Sequence, residues 1–460
     1  MRVTRILGTA IQGVMTLGLT LGVLSRPLLA QDAEPAAAAD PPALEPASPA
    51  PGQVLPPAAE PVMDLPTTPA PSIESITLFP HQGELTSGNS FNDQRFGYVL
   101  HGQVRASYDS NIFIKEHGAE HDFIFTIQPG LAVGWGEFKS ELYGPDSFRH
   151  RFERYVEKNY IFADYSPSYT WFASHGSEDT FDHDAKLEGE WTIRRLTFGV
   201  RARYVTENVA EADIGERIEE RHPSAALTSR YQYSGKTSFE VNGFYQGTDY
   251  AGNNVDTKEW RNEDWLNYQI SPKIKLGLGG AFAYIDRSSE PSQTYQQGLA
   301  RVKYEATAKF TVSLTAGGDW RQTENAGSRT DGVFQLDLAW TPFAGSYLYL
   351  QGYRRAYNSG IEGSEYFQAT GISLEYRQRL FQRFYFDLTG GYQNADYKDE
   401  LGSPNFGRND DLYFIRPSIG FDLAQWLNCE ISGEYQKNDS NSVGHSFDTT
   451  IVMLKFNLLF

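Results

Sequence analysis

From about Tyr98 to the terminal Phe460, apolar and polar side chains alternate with period two. In an extended strand successive side chains point to opposite faces, so each such segment is a ribbon with one oily and one wet side. In the first ribbon Tyr98, Leu100, Gly102, Val104, Ala106 and Tyr108 share a face. Val99, His101, Gln103, Arg105 and Ser107 make the other. The beat returns in Leu196, Phe198, Val200, Ala202 and Tyr204, in Phe310, Val312, Leu314, Ala316 and Trp320, and in Leu427, Cys429, Ile431 and Tyr435. A soluble sandwich alternates too, so alternation alone does not settle the architecture.

Two further features point to a ring of strands in a membrane. Aromatic residues sit at both ends of the oily faces, as in Tyr98 and Tyr108 or Phe310 and Trp320. Ten residues of strand rise about 33 Å, and a tilt of about 40° reduces that to about 25 Å, the height of a lipid-facing band with two aromatic girdles. The links also alternate in length. Arg194-Arg195, Ser234-Gly235-Lys236, Ser271-Pro272-Lys273, Thr341 to Gly345 and Leu423-Ala424-Gln425 are short. Between them stand longer links: Glu207 to Glu220, Asp286 to Gln293, Gln322 to Asp331, Asn394 to Asp410 and Lys437 to His445. Short periplasmic turns and longer outer loops are the pattern of outer-membrane barrels. The expected fold is all-β: a transmembrane antiparallel up-and-down β-barrel of about 18 strands (range 16–18). An even count puts both barrel ends on the periplasmic side. The segment Glu137 to Lys158 breaks the pattern, since it is long where a short turn is due; Phe148 to Tyr155 within it reads as a small helix.

The residues before the barrel read differently. Arg2 and Arg5, then an apolar run from Ile6 to Leu24 and a small residue at Ala30, make residues 1–30 a signal peptide. No cysteine follows that run, which argues against lipid attachment. Residues 31–75 are rich in Ala and Pro and cannot bury a core, so a disordered periplasmic linker is expected. Residues 76–95 form a lead-in, and residues 96–460 the barrel. The net charge of −18 and a pI near 5.0 exclude a general nucleic-acid binder. Mean hydropathy of −0.47 excludes a helical bundle in the membrane, while an aromatic fraction of 14% suits strands that are oily on one side. The lone Cys429 allows neither an internal disulfide nor a cysteine-based zinc site.

The chain ends on Phe460, with Leu458, Phe456, Leu454 and Val452 at every second position before it. This end resembles the terminal strand that the outer-membrane barrel assembly machinery recognises, with Phe456, Leu458 and Phe460 as the signal. Tyr108-Asp109-Ser110-Asn111-Ile112-Phe113, the stretch Phe123 to Leu131, and Tyr165-Ser166-Pro167-Ser168-Tyr169 resemble a family of outer-membrane β-barrel porins, most of them uncharacterised. The resemblance covers roughly residues 96–460. It implies fold and location in the cell outer membrane, with lipid and lipopolysaccharide as surroundings, and it supplies no catalytic residue. Some relatives occur beside exopolysaccharide export systems, so it also raises polymer export.

If lipid meets the oily set, the wet set lines the interior. The pore-lining residues expected are Arg105, Glu188, Glu190, Arg201, Arg203, Arg230, Glu240, Arg301, Asp319, Arg321, Asp337, Glu375, Asp387, Arg416, Glu430 and Glu434. A wall carrying both signs suits a channel for small polar solutes with weak ion selectivity. Paired charges that only stabilise the barrel are the plainer alternative. Phe244, Tyr385 and Phe414 fall on the same register, either as a sugar-stacking track or as space filling. The loop from Glu116 to Asp122 holds metal-ligand residue types but lacks His-Glu-x-x-His, and a flexible polar loop is expected. The acidic residues Glu207, Glu211, Asp213, Glu216, Glu219 and Glu220 are expected as surface charge, with divalent-cation binding as the alternative. An enzyme would need a paired Ser and His. His101 has only Gln103 and Arg105 beside it in sequence, so neither catalysis nor a cofactor is expected. Three readings follow: a porin-like channel, a barrel tied to exopolysaccharide export, and a non-conducting structural or adhesive barrel.

Overall fold

The structure is a computed structural model and describes residues 96–136, 159–307, 309–324, 327–343, 345–381, 383–399, 407–424 and 426–460. The expected leader, linker and lead-in, and the segment 137–158, lie outside the described residues. The strands are β1 (Phe96–Asp109), β2 (Asp122–Gly136), β3 (Tyr160–Tyr165), β4 (Ser168–Phe172), β5 (Thr180–Asp182), β6 (Asp184–Ile193), β7 (Leu196–Glu211), β8 (Glu216–Gln232), β9 (Thr237–Tyr250) and β10 (Thr257–Ser271). They continue with β11 (Ile274–Arg287), β12 (Gln293–Thr307), β13 (Phe310–Thr323), β14 (Gly327–Trp340), β15 (Ser346–Asn358), β16 (Ser364–Leu380), β17 (Phe384–Asp399), β18 (Asn409–Ala424), β19 (Leu427–Ser440) and β20 (Phe447–Leu459).

Apart from β3 to β6, each strand pairs antiparallel with its neighbours in sequence, and the last pairs with the first. β1 meets β20 from His101 opposite Leu459 to Asp109 opposite Ile451. Phe460 and Leu100 exchange backbone bonds of 2.7 and 3.2 Å at the seam. β3 and β4 together make one barrel strand along β2, and β5 with β6 makes the next, so the described residues close an eighteen-stranded barrel. The first interruption falls at Ser166-Pro167. Pro167 has no N–H to give a ladder, and Ser166 turns its own N–H to the Asp184 carbonyl at 2.8 Å. The second falls at His183, whose N–H goes to the Thr206 hydroxyl.

The oily face is the outer one. Leu278 and Leu227 are 67% and 66% exposed, whereas the wet-face residues beside them in the ladder are largely covered. Near the rim that carries Phe96 and Phe460, the outward aromatics are Tyr98, Trp135, Tyr231, Tyr268, Tyr304, Trp340 and Trp426. Toward the far rim stand Phe123, Tyr204, Trp260, Trp320, Tyr413 and Tyr435. Rings touch along both belts: Trp426 with Phe460 at 5.7 Å, Trp260 with Tyr245 at 5.5 Å, Tyr392 with Tyr413 at 5.0 Å. Asn262 and Asp264 are an exception; they face outward between Trp260 and Tyr268, with the Asn262 amide donating to Asp264 at 3.3 Å.

Near-rim turns are short, as at 194–195 and 272–273. Arg194 and Phe381 take positive φ (58° and 60°) there, as tight hairpins require. The far-rim links are shorter than the sequence suggested. Glu207 to Glu220 shrinks to 212–215, and Asp286 to Gln293 to 288–292. The ladder simply continues past the lipid belt: β7 and β8 stay in register up to Glu211 opposite Glu216. Alternation of oily and wet residues stops where lipid stops, but strand pairing does not, so hydropathy underestimates strand length at this end.

A charge on the outer face has no water to meet. Leu278→Arg is expected to cost about 2–4 kcal/mol in lipid, while Asp264→Leu should gain stability. Reversible urea unfolding in lipid vesicles measures both.

Candidate functional site

The inner face gathers the charged residues that the alternation set apart. On β6 and β7, Arg203 is bidentate to Asp184 (3.0 and 3.1 Å), and Arg201 stands 3.6 Å from Glu188, which also accepts from the Tyr160 hydroxyl. Glu190 is inward one step nearer the rim, opposite Gly199. Glu240 on β9 sits between Arg230 (3.7 Å) and Arg301 (3.2 Å), and Asn267 donates to it. Arg321 lies 3.6 Å from Asp319. Asp337 accepts from Tyr349, Gln335 and Gln351. Arg377 holds Asp387 at 2.6 Å, Arg416 holds Glu434 at 2.6 Å, and Lys455 holds Glu430 at 2.9 Å. Glu375 is buried beside Arg377 on the same strand. Arg105 faces inward on β1, level with Thr126 and Lys455.

So the register puts every residue of the expected pore-lining set on the inside, but mostly in cross-strand pairs. Such pairs offset the cost of covering charge and leave a wall with little excess of either sign. Phe244, Tyr385 and Phe414 are also inward but scattered. Phe244 lies under the Arg261 guanidinium (4.6 Å), Tyr385 donates to Asn428 and Glu430, and Phe414 packs against the Ala210–Leu412 cluster. They make no continuous stacking track.

Between β9, β10 and β12–β15 the wall encloses a cavity of about 130 Å³ lined by Arg261, Glu259, Tyr295, Arg321, Gln335, Arg355 and Tyr357, among others. Tyr295 and Asn358 both donate to Glu259 (2.6 and 3.4 Å). Arg321 is sandwiched between the rings of Tyr295 and Tyr366, each 4.6 Å away. Arg355 lies against Tyr353 and Tyr357, donates to the Tyr357 hydroxyl, and has no carboxylate in ion-pair range among the described residues. The sequence reading missed Arg261 and Arg355. The outward residues of β10 include Asn262 and Asp264, which hides its oily face, and Arg354-Arg355 gives no hint of which arginine turns in. Counting register from Trp260, Leu266 and Tyr268 would have found Arg261.

Lipid belt, closed ladder and charged interior now coincide in one ring. It is a closed antiparallel β-barrel with an oily outer belt. No family model matches the chain, and no curated protein does. Among solved structures the barrel is similar to the outer-membrane protein OpdK of Pseudomonas aeruginosa (TM-score 0.44, 9% identity, 79% of this chain and 99% of that one). A BenF-like porin of Pseudomonas fluorescens Pf-5 gives 0.45, 8%, 80% and 99%, and OccAB4 of Acinetobacter baumannii gives 0.43, 11%, 80% and 100%. At these identities no residue role transfers.

Two loops of the barrel differ from expectation. The Glu116–Asp122 loop is tied down: Asp122 accepts from the Ser174 and His175 backbone and from the His175 ring at 2.8 Å, and Glu120 takes the other ring nitrogen at 3.1 Å. Burial alone would raise the Asp122 pKa, yet these donors hold it below the ordinary value, and His175 is raised by its two carboxylates. Among the described residues no group of three or more metal-ligating side chains could hold an ion. The expectation of surface charge fails for Glu211, Asp213 and Glu220, which are 0%, 2% and 0% exposed; Glu216 and Glu219 do face solvent. They sit at a hairpin tip covered by other loops, a contact that strand periodicity does not encode. His101 lies 2.6 Å from Asp164, and the Ser166 hydroxyl donates to that same carboxylate. The carboxylate stands between Ser and His, whereas an activated serine needs the imidazole in the middle.

Removing one partner of a covered ion pair strands the other. Asp387→Ala is expected to cost about 3–5 kcal/mol, read as a lower melting temperature in detergent, with the paired Arg377→Met/Asp387→Leu variant recovering most of it.

Proposed function

We propose that this barrel is a porin-like channel that lets small polar solutes cross the outer membrane, with the wall between β9 and β15 as its selective part. The observation that supports this reading is the doubly signed inner face around the cavity between β9 and β15. Eighteen strands leave an aqueous bore unless something fills it, and rows of both signs let a polar solute exchange water for wall contacts. The paired charges make selectivity weak. Arg355, loosely engaged by tyrosines, contributes the excess positive potential at the cavity. The near rim then faces the periplasm, and Phe456, Leu458 and Phe460 serve as the terminal assembly signal, the first two on the outer face of β20 and Phe460 exposed just past its end.

Folded protein in planar bilayers should give discrete conductance steps; their absence from correctly folded barrels under every condition would rule the channel out. Arg355→Gln should lower the chloride-to-potassium permeability ratio by about threefold, the weight of roughly 0.6 kcal/mol for a partly hydrated charge. An unchanged reversal potential would remove Arg355 from the selective wall.

A further inference from the structure

The β7–β8 hairpin rises well past the lipid belt. Its outer aromatic Tyr204 pairs with Pro223, and the ladder runs on from there to Glu211 and Glu216. Beyond the belt its tip does not stand upright. The Asp213 carboxylate accepts from the Ser359 hydroxyl (3.1 Å) and the Gly360 N–H (2.8 Å), both in the β15–β16 turn. Going round the ring, six barrel strands separate β8 from β15 one way and eight separate β16 from β7 the other way. A contact between elements so nearly opposite spans the mouth.

Other far-rim loops hold the tip from the remaining sides. Arg408, 1% exposed and paired with Asp410, donates to the Asp213 and Ala212 carbonyls at 2.7 and 2.9 Å. Arg217 donates to the Ile112 carbonyl at 2.9 Å. Ala210 and Ala212 are buried with Ile114, Leu412 and Phe447. The turn itself needs Gly215 at φ 85°, with the His445 ring against it.

We propose that the β7–β8 hairpin is a latched lid over the outer mouth, closed when its buried carboxylates hold protons and released when they ionise. This rests on the channel reading, since a lid regulates only a conducting barrel.

The chemistry lies in what the closed position covers. Glu211 is fully buried, its Oε2 has no hydrogen-bond partner among the described residues, and its neighbours are Glu220, Asp213 and Glu207. Glu220 has His222 at 2.8 Å, and Glu207 has it at 3.4 Å. Asp213 has Arg408, Tyr397 and Ser359. Tyr250 faces the same acids from β9. Among the described residues no cation lies in ion-pair range of Glu211. Burial, then Glu220 and Asp213, push its carboxyl well above the usual range, and burial raises Asp213 and Glu220 as well. An acid raised by closing favours the closed state at low pH, and that advantage is lost as pH climbs through the raised value. His222 acts in the same direction. Its carboxylates overcome burial and hold it at about 9, so its contribution is full below the ordinary histidine range and lost toward pH 9. His445 opposes them: burial and Arg408 lower it to about 4, which weakens closure as pH falls below the ordinary histidine range.

The test uses the full barrel in planar bilayers from pH 6 to pH 10, with a Cys429→Ser background for labelling. Open probability should rise with pH by on the order of tenfold as the buried carboxyls ionise. Glu211→Gln should flatten part of that rise, and Arg408→Ala should open the channel at pH 6. A short bifunctional thiol reagent across Asp213→Cys/Ser359→Cys should hold it shut at pH 10. Labelling of Ser359→Cys by an impermeant maleimide, taken relative to the exposed reference Val443→Cys so that the rise in thiolate with pH cancels, should speed up over the same range. Conductance and labelling that both stay flat with pH would overturn the lid. Labelling that rises without any conductance, even in Arg408→Ala, would leave a moving hairpin and overturn the channel reading instead.

Discussion

A backbone inside hydrocarbon must pair every N–H and C=O with another part of the protein, because no water is there to take them. A sheet meets that demand only when its last strand finds its first. The seam between β1 and β20 is therefore the contact on which the rest depends. Once it closes, each strand has one face for lipid and one for the interior. The alternation along the chain then decides what each face carries. The interruptions at Ser166-Pro167 and His183 are tolerated because their freed groups go to Asp184 and Thr206 rather than to lipid.

The ring has consequences for its charges. Inward residues do not meet bulk water freely, so a single uncompensated ion would cost several kcal/mol. The barrel answers with pairs two strands or fewer apart, Arg377 with Asp387 or Arg416 with Glu434. Pairing of this kind is a property of neighbouring strands and so of sequence register. It also explains how a chain of net charge −18 can keep an interior of nearly balanced sign. Part of the excess acid belongs to residues 1–95, with nine Asp and Glu against four Arg, and part to the far-rim loops, where Glu216 and Glu219 face solvent while Glu211, Asp213 and Glu220 are buried.

What could be read in the sequence follows the same division. The oily face, both aromatic belts, the strand number and the inward charges repeat every second residue, and a local pattern reveals them. Strand ends past the belt are not legible, since residues such as Glu207 and Glu219 lose the hydropathy contrast while their ladder continues. Arg261 was hidden by the polar outward pair Asn262 and Asp264. Asp213 looked like solvent-facing charge because its partners, Ser359 and Arg408, are 146 and 195 residues away. A contact made across the mouth leaves no trace in any window of sequence.

That last difference separates two uses of the same residue type. A wall carboxylate such as Asp387 meets an arginine on the adjacent strand, so its charge is satisfied in every state in which the barrel is closed as a ring. Glu211 is the last residue of β7 and so belongs to the hairpin itself; the contacts that hold its tip, to the loops carrying Ser359 and Arg408, lie outside the β7–β8 ladder. Ladder energy is thus irrelevant to whether the tip stays down. The tip is held by a few bonds to Asp213 and Ala212 and a small apolar cluster, each worth about 1 kcal/mol or somewhat more. Against so modest a hold, ionising one buried carboxyl is enough to matter, whereas the same event in the wall would have to compete with the whole ring.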